Sequence, residues 1–265
     1  MTMQNKANAF IELLKIMEDL RFQCPWDKKQ TIHSLRNLTL EEAYELSDAI
    51  ITEDMKAIRE ELGDLLLHIV FYARIAEEQS LFHIGDVIQT LNEKLIRRHP
   101  HIYGDVQVDN EEDVKKNWEQ IKMNEGKKSV LGGVPNSLPA LIKAYRMQDK
   151  TSQVGFDWKD KEGVRTKLNE EIRELDEALS RENNQAEVES EFGDILFTLV
   201  NYARFLGVDP ETALEKTNRK FKKRFENIEN NSAKLVTEMT VDEMNFLWEK
   251  AKMSENDTNT GGLDD

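Results

Sequence analysis

One cysteine, Cys24, stands in 265 residues. It permits no internal disulfide and is the usage expected of a reducing compartment, so a cytoplasmic protein is expected. Proline and glycine are also scarce, 5 and 12 residues, well below an average share of about 12% together. So few chain breakers over this length predict helices rather than strands and turns. No apolar run approaches the ~20 residues that span a bilayer. The longest, from about Leu65 to Ala73, is interrupted by His68. The first residues show no signal-peptide pattern either, because charges interleave with Phe10, Leu13, Leu14 and Met17 at helical spacing. Basic residues are outnumbered, 36 against 51 acidic ones, for a net charge of −15. That argues against nucleic acid as a partner, since phosphate backbones reward Lys and Arg. A small phosphate ligand stays open, because a metal ion can bridge like charges. No Walker-type glycine-rich loop is present, so any phosphate is held without one.

What the chain has is carboxylates in pairs. Glu42 and Glu45 are three apart, and Glu61 and Asp64 are three apart on the next predicted helix. Residues at that spacing are neighbours on one helix face. The second pair intrudes on an apolar stripe of Ile58, Leu62, Leu65, Ile69, Tyr72 and Ala73, which predicts that it faces inward. An antiparallel hairpin then brings four carboxylates together. They must be protonated, solvated or joined by a cation, and oxygen ligands favour Mg²⁺ or Mn²⁺ over zinc. A di-iron bundle would carry Glu-x-x-His pairs, which are missing here.

The pattern occurs twice. Glu171 and Glu174 repeat the first pair, and Glu191 and Asp194 the second, 129 and 130 positions on. Asp27 recurs as Asp157, Tyr72-Ala73-Arg74 as Tyr202-Ala203-Arg204, Trp118 as Trp248, and Lys122 as Lys252. The chain is therefore expected to be a tandem duplication. Its units are a first helical domain over 1–124, a Gly/Pro-containing linker over 125–139, a second helical domain over 140–253, and a disordered tail over 254–265. Thr52, ahead of Glu53 and Asp54, reads as the N-cap of the second hairpin helix, and Asn184, ahead of Glu187, as its counterpart. The fold class expected is all-α, as two tandem helical bundles.

Each unit also carries a basic helix after its hairpin, with Lys94, Arg97 and Arg98 in the first and Lys220, Lys222, Lys223 and Arg224 in the second. Lys94/Arg98 and Lys220/Arg224 are each four apart, on one face. Such pairs commonly form a solvated surface, but beside a metal-carboxylate cluster they supply donors for a polyphosphate. Trp118 and Trp248 are either packing anchors or stacking surfaces for a base. Lys122 and Lys252 follow each Trp by one turn. His68 has Thr198 as its counterpart, and Cys24 has Val154 or Gly155, so neither is expected to share in a duplicated chemistry.

At these residues the sequence resembles the MazG family of nucleoside triphosphate pyrophosphohydrolases in its full-length tandem form. The likeness rests on Cys24-Pro25-Trp26-Asp27, Glu41-Glu42-x-x-Glu45, Glu61-x-x-Asp64 and Arg97-Arg98-His99-Pro100-His101 in the first half. In the second it rests on Ser137-Leu138-Pro139-Ala140-Leu141, Val154-Gly155-Phe156-Asp157-Trp158, Glu170-Glu171-x-x-Glu174 and Glu191-x-x-Asp194. It covers about residues 9–252. The resemblance implies Mg²⁺-dependent hydrolysis of nucleoside triphosphates to the monophosphate and pyrophosphate, a helical homodimer, and a role in housekeeping of the nucleotide pool. On this reading Glu171, Glu174, Glu191 and Asp194 hold the metal. One of them or Glu170 acts as base, and Lys167, Lys220, Arg224, Trp248 and Lys252 bind substrate. Glu42, Glu45, Glu61 and Asp64 make a second, less equipped metal site. Two alternatives stay open: an enzyme dedicated to dCTP or dUTP, and a nucleotide-binding regulatory module with little catalysis. The second half is expected to carry the main activity, because Pro100 cuts the first basic helix and Leu38 stands where the second unit has Lys167.

Overall fold

The computed structural model describes residues 1–110, 113–114, 117–118, 121, 125, 129–182, 184–232 and 234–260, with side chains as far as 253. Among these residues there are ten α-helices and no strand. The all-α expectation holds. The chain divides into two compact units, 1–121 and 122–265.

In the first unit, α1 (Met3–Gln23) is followed by the hairpin of α2 (Ile32–Ile51) and α3 (Met55–Glu78), then by α4 (Ile84–Arg98) and a short α5 (Pro100–Tyr103). Local chemistry sets the ends. Thr31 and Ser34 form a reciprocal capping box at the start of α2. His99, followed by Pro100, closes α4, since proline cannot supply the next helical N–H. The core is where α1, α2 and α3 meet, with Met17, Leu35, Val70, Phe71 and Ile75 buried together.

The second unit repeats this hairpin. A 3₁₀ turn (Leu131–Gly133) packs on α6 (Ala140–Ser152), and α7 (Lys161–Leu179) pairs with α8 (Gln185–Phe205). Next comes α9 (Pro210–Asn231), with Pro210 in its first turn and Asp209 capping it. The last helix is α10 (Val241–Thr260), whose backbone continues through 254–260, where the sequence suggests a disordered tail. Residues 261–265, Gly126 and Lys122 lie outside the described residues. α6 packs on α8, and α9 packs on α6, α8 and α10.

Two local expectations are corrected. Thr52 closes α2; the N-cap of α3 is Asp54, whose carboxylate accepts from the amides of Lys56 and Ala57 at 2.9 and 3.1 Å. Glu53 between them turns the chain at φ 56°. Asn184 does hold the N-cap position of α8, yet its side chain bonds to the Glu187 carboxylate and caps no backbone N–H.

The stripe on α3 is also different. His68, Phe71 and Ile75 form one buried face, while Leu62, Leu66 and Ile69 lie exposed together on another, which is buried only where Val70 and Ala73 continue it toward the C-terminus. The helix is apolar on two sides, so periodicity alone could not say which one meets the core. α8 repeats this, with Phe192, Leu196 and Leu199 exposed at the same 4–3 spacing.

Candidate functional site

The hairpins do what the paired carboxylates require. In the second unit, one carboxylate oxygen each from Glu171, Glu191 and Asp194 lies within 4.8 Å of the others. Glu171 comes from the middle of α7, and the other two come from the first half of α8. Glu171 is only 6% exposed, which makes its charge costly without a counter-ion. That counter-ion is Lys167. Its ammonium lies 2.7 Å from Glu170, 3.0 Å from Glu171 and 3.9 Å from Glu174. These bonds raise the Lys167 pKa above the ordinary lysine value, the bond to Glu170 contributing most. The same bond lowers the Glu170 carboxyl. Glu174 is outside the tight triad and is hydrogen-bonded to Glu171, which raises its pKa ahead of the effect of burial.

The first unit gathers Glu42, Glu45 and Glu61 within the same 4.8 Å limit. Asp64 is not in this triad, although its charge acts on both Glu42 and Glu61. Burial raises the Glu42 carboxyl first, then the charges of Asp64 and Glu45. Burial again leads for Glu61, followed by Glu45 and Glu42. No lysine stands at the position equivalent to Lys167, which is Leu38. The two clusters draw on equivalent sets of four carboxylates, yet they bring different threes together and differ in charge balance.

Two of the cationic and aromatic candidates, Arg224 and Trp248, meet each other. The Arg224 guanidinium lies over the Trp248 ring at 5.5 Å, and Phe221 packs against the same ring at 5.2 Å. Trp248 thus ties α10 to α9. Lys220, one turn before Arg224, is exposed, and Lys252 pairs with Glu249 at 3.4 Å. In the first unit Trp118 packs against His99, at 5.6 Å.

A donor set made only of carboxylate oxygens, close enough to share one ion, fits a hard divalent cation. Comparison with known proteins gives the family. The model of the MazG nucleotide pyrophosphohydrolase domain matches twice, over residues 30–103 and 159–228. The chain belongs to the MazG family. Each match spans one carboxylate hairpin, so the duplication seen in the residues is a duplication of the family's domain. Among relatives, the nucleoside triphosphate pyrophosphohydrolase/pyrophosphatase MazG of Thermotoga maritima is 48% identical over 258 residues, covering 94% of this chain and 98% of that protein. A nucleoside triphosphate pyrophosphohydrolase of Escherichia coli K12 is 43% identical over 261 residues, 96% of this chain and 99% of the relative. A third, from Mycobacterium tuberculosis, is 39% identical and covers 57% of this chain.

Sequence reasoning missed one feature beside this site. A cavity of about 610 Å³ lies among α6, the 153–158 loop and the second half of α8. Part of its lining, Gln148, Thr151 and Asn201, falls where the two halves stop matching.

Proposed function

We propose that this MazG chain hydrolyses nucleoside triphosphates to the monophosphate and pyrophosphate, with Mg²⁺ held mainly in the second unit. The observation that carries the reading is the convergence of Glu171, Glu191 and Asp194 oxygens within 4.8 Å, in a domain whose relatives bear that activity in their names. Glu174, hydrogen-bonded to Glu171, completes the set of four. A bound divalent ion polarises phosphate oxygens and lowers the pKa of a bound water. The chain's own groups do the rest. Lys167 offsets part of the cluster's charge in the absence of metal and, carried on the same helix, turns toward phosphate oxygens when substrate is bound. Glu170, bonded to Lys167 in the metal-free cluster, orients that lysine, and it or a carboxylate of the cluster acts as base. Lys220 and Arg224 supply further positive charge along α9, with Arg224 steadied by Trp248; Lys252 adds a charge from α10.

We further propose a homodimer. The support is the exposed apolar stripe on each hairpin, Leu62–Leu66–Ile69 and Phe192–Leu196–Leu199, which a second copy would cover. Nucleotide-pool housekeeping in the cytoplasm is the role that fits such an enzyme. No helix among the described residues is long and apolar enough to cross a membrane.

The test is pyrophosphate release from the eight common ribo- and deoxyribonucleoside triphosphates, with Mg²⁺ and with a chelator. Release from several bases, abolished by chelation and by Glu191→Gln, is the expected result. Turnover of one base far above the others would favour a dedicated enzyme. No release with any triphosphate would favour a regulatory nucleotide-binding module.

A further inference from the structure

The cavity beside the carboxylate hairpin of the second unit is built. Met147, Gln148 and Thr151 of α6 form one wall, Trp158 a second, and Phe197 and Asn201 of α8 a third. Its volume, about 610 Å³, is within the usual range for small-molecule sites. Gln148 is 6% exposed. Its Nε2 donates to the carbonyl of Phe197 at 2.8 Å, which fixes the amide and leaves Oε1 buried with no partner among the described residues. Buried acceptors are rarely left this way unless something else completes them. Asn201 is the complement. Its Oδ1 accepts from the Arg204 guanidinium at 2.9 and 3.2 Å, which leaves its Nδ2 to donate.

The loop that closes the cavity is held in place. Gly155, at φ 86°, ends α6 in a backbone conformation that glycine adopts without strain. Asp157, two residues on, forms an ion pair with Arg204. A Cβ on Gly163 would come 3.0 Å from the Trp158 ring, so the glycine lets that indole lie against the start of α7. Position along α8 relates the cavity to the metal ligands. At 1.5 Å per residue, Phe197 and Asn201 are about 4.5 and 10 Å beyond Asp194, the separation that a ribose bridges between a phosphate and a base.

The first unit shows the same place filled. Thr151 corresponds to Arg21, and Asn201 to Phe71, each 130 positions earlier. The Arg21 guanidinium lies 5.6 Å from the centre of the Phe71 ring and donates to the carbonyls of Asp27 and Gln30. Phe71 itself is 1% exposed, in the core of that unit.

We propose that the cavity of the second unit receives the nucleobase of the substrate, with Gln148 Oε1 accepting from a base amine or ring N–H, Asn201 Nδ2 donating, and Trp158 as an apolar wall. Every common base presents both a donor and an acceptor, so an amide pair of this kind accepts several of them. The inference rests on reading the second unit as the one that handles nucleotides.

The experiment is calorimetric titration of the full chain, in Mg²⁺ buffer, with AMP, CMP, GMP, UMP and ribose 5-phosphate. The wild type is expected to bind the nucleotides about tenfold or more tightly than ribose 5-phosphate. Thr151→Arg, which installs the first unit's plug, should bring nucleotide affinity down to that of ribose 5-phosphate. Gln148→Leu should weaken nucleotides about three- to tenfold and leave ribose 5-phosphate unchanged. Far-UV circular dichroism checks the fold, and Gln148→Leu carries the test alone if Thr151→Arg fails to fold. Equal binding of nucleotides and ribose 5-phosphate by the wild type overturns the proposal, as does wild-type nucleotide affinity in both variants. Pyrophosphate release is measured alongside. Release without base-dependent binding sinks the cavity and spares the hydrolase; base-dependent binding without release does the reverse.

Discussion

Replacing Lys167 with methionine removes one charge and keeps most of the aliphatic stem, so packing changes little. Its ammonium lies 3.0 Å from the buried Glu171 of the second carboxylate cluster. An exposed ion pair contributes at most about 1 kcal/mol, and breaking a fully buried one costs about 3–5 kcal/mol. Here the carboxylate is buried and the lysine side chain is 32% exposed, so solvent screens the pair in part. The expected loss is about 1–2 kcal/mol in metal-free protein, an apparent Tm lower by about 2–8 °C for the transition of the second unit. A divalent cation replaces the missing charge. The deficit should therefore be largest in chelator and shrink, or reverse, in millimolar Mg²⁺. The sign with pH follows from the raised pKa of Lys167. Its stabilisation is fully present below the unfolded value of about 10.4 and is lost as pH rises through the higher folded value. Between pH 6 and 10 the gap between wild type and Lys167→Met should stay constant. Differential scanning calorimetry in chelator and in Mg²⁺ reads all of this. A deficit of the same size in both buffers would refute the assignment of Lys167 as the cluster's resident counter-ion.

The first cluster should respond in the opposite sense. Glu61→Gln removes one of several carboxylates that have no lysine among them, so metal-free Tm should hold or rise, and a clear fall would mark Glu61 as a structural acceptor. For activity, Glu191→Gln/Asp194→Asn is expected to cost most of kcat and Glu61→Gln/Asp64→Asn little, in a dimer verified by sedimentation; equal losses would refute the asymmetry between units. Glu243, bonded to Lys234 and to the Thr240 amide, has its pKa lowered to about 2. Its contribution is present above the unfolded value of about 4.3 and disappears as pH falls toward 2, so Glu243→Gln should flatten the acid limb of Tm against pH. An unchanged acid limb would count against that bond. Leu196→Asp should shift the chain toward monomer in sedimentation, and an unaltered dimer would place the interface elsewhere.

Much of this was legible from spacing. Carboxylates three apart on two successive helices can meet only if the helices form a hairpin, and the second copy made coincidence a poor explanation. Lys167, at i−4 to Glu171, was legible for the same reason, since one helical turn fixes the relation. What periodicity could not settle was which side of an apolar helix is inside. Leu62 and Ile69 suit a core stripe as well as Phe71 and Ile75 do, and only the packing of α1 and α2 selects between them. The caps were also underdetermined: Thr52 and Asp54 are both good N-cap residues, and the left-handed turn at Glu53 decided for the second. The cavity went unseen because Thr151, Trp158 and Asn201 in its lining have no match in the first half, and a repeat is recognised by what agrees.

Those non-matches decide how the two units differ. The hairpin register alone delivers the carboxylates, and it delivers them twice. It does not deliver a resident cation or room for a base. Each of these turns on single side chains outside the acidic motif: Leu38 against Lys167, Arg21 against Thr151, and Phe71 against Asn201. In the first unit the arginine and the phenylalanine close the space and join the core that holds α1 to the hairpin. In the second, the smaller or more polar residues leave it open, and α6 is held through Gln148 and the Phe197 carbonyl instead. Opening a cavity gives up packing that the first unit keeps, because unfilled volume is destabilising. A cavity with a buried, unpartnered amide oxygen gives up more still. On these grounds the second unit carries the costs of a binding site, and the first carries the bonds of a scaffold.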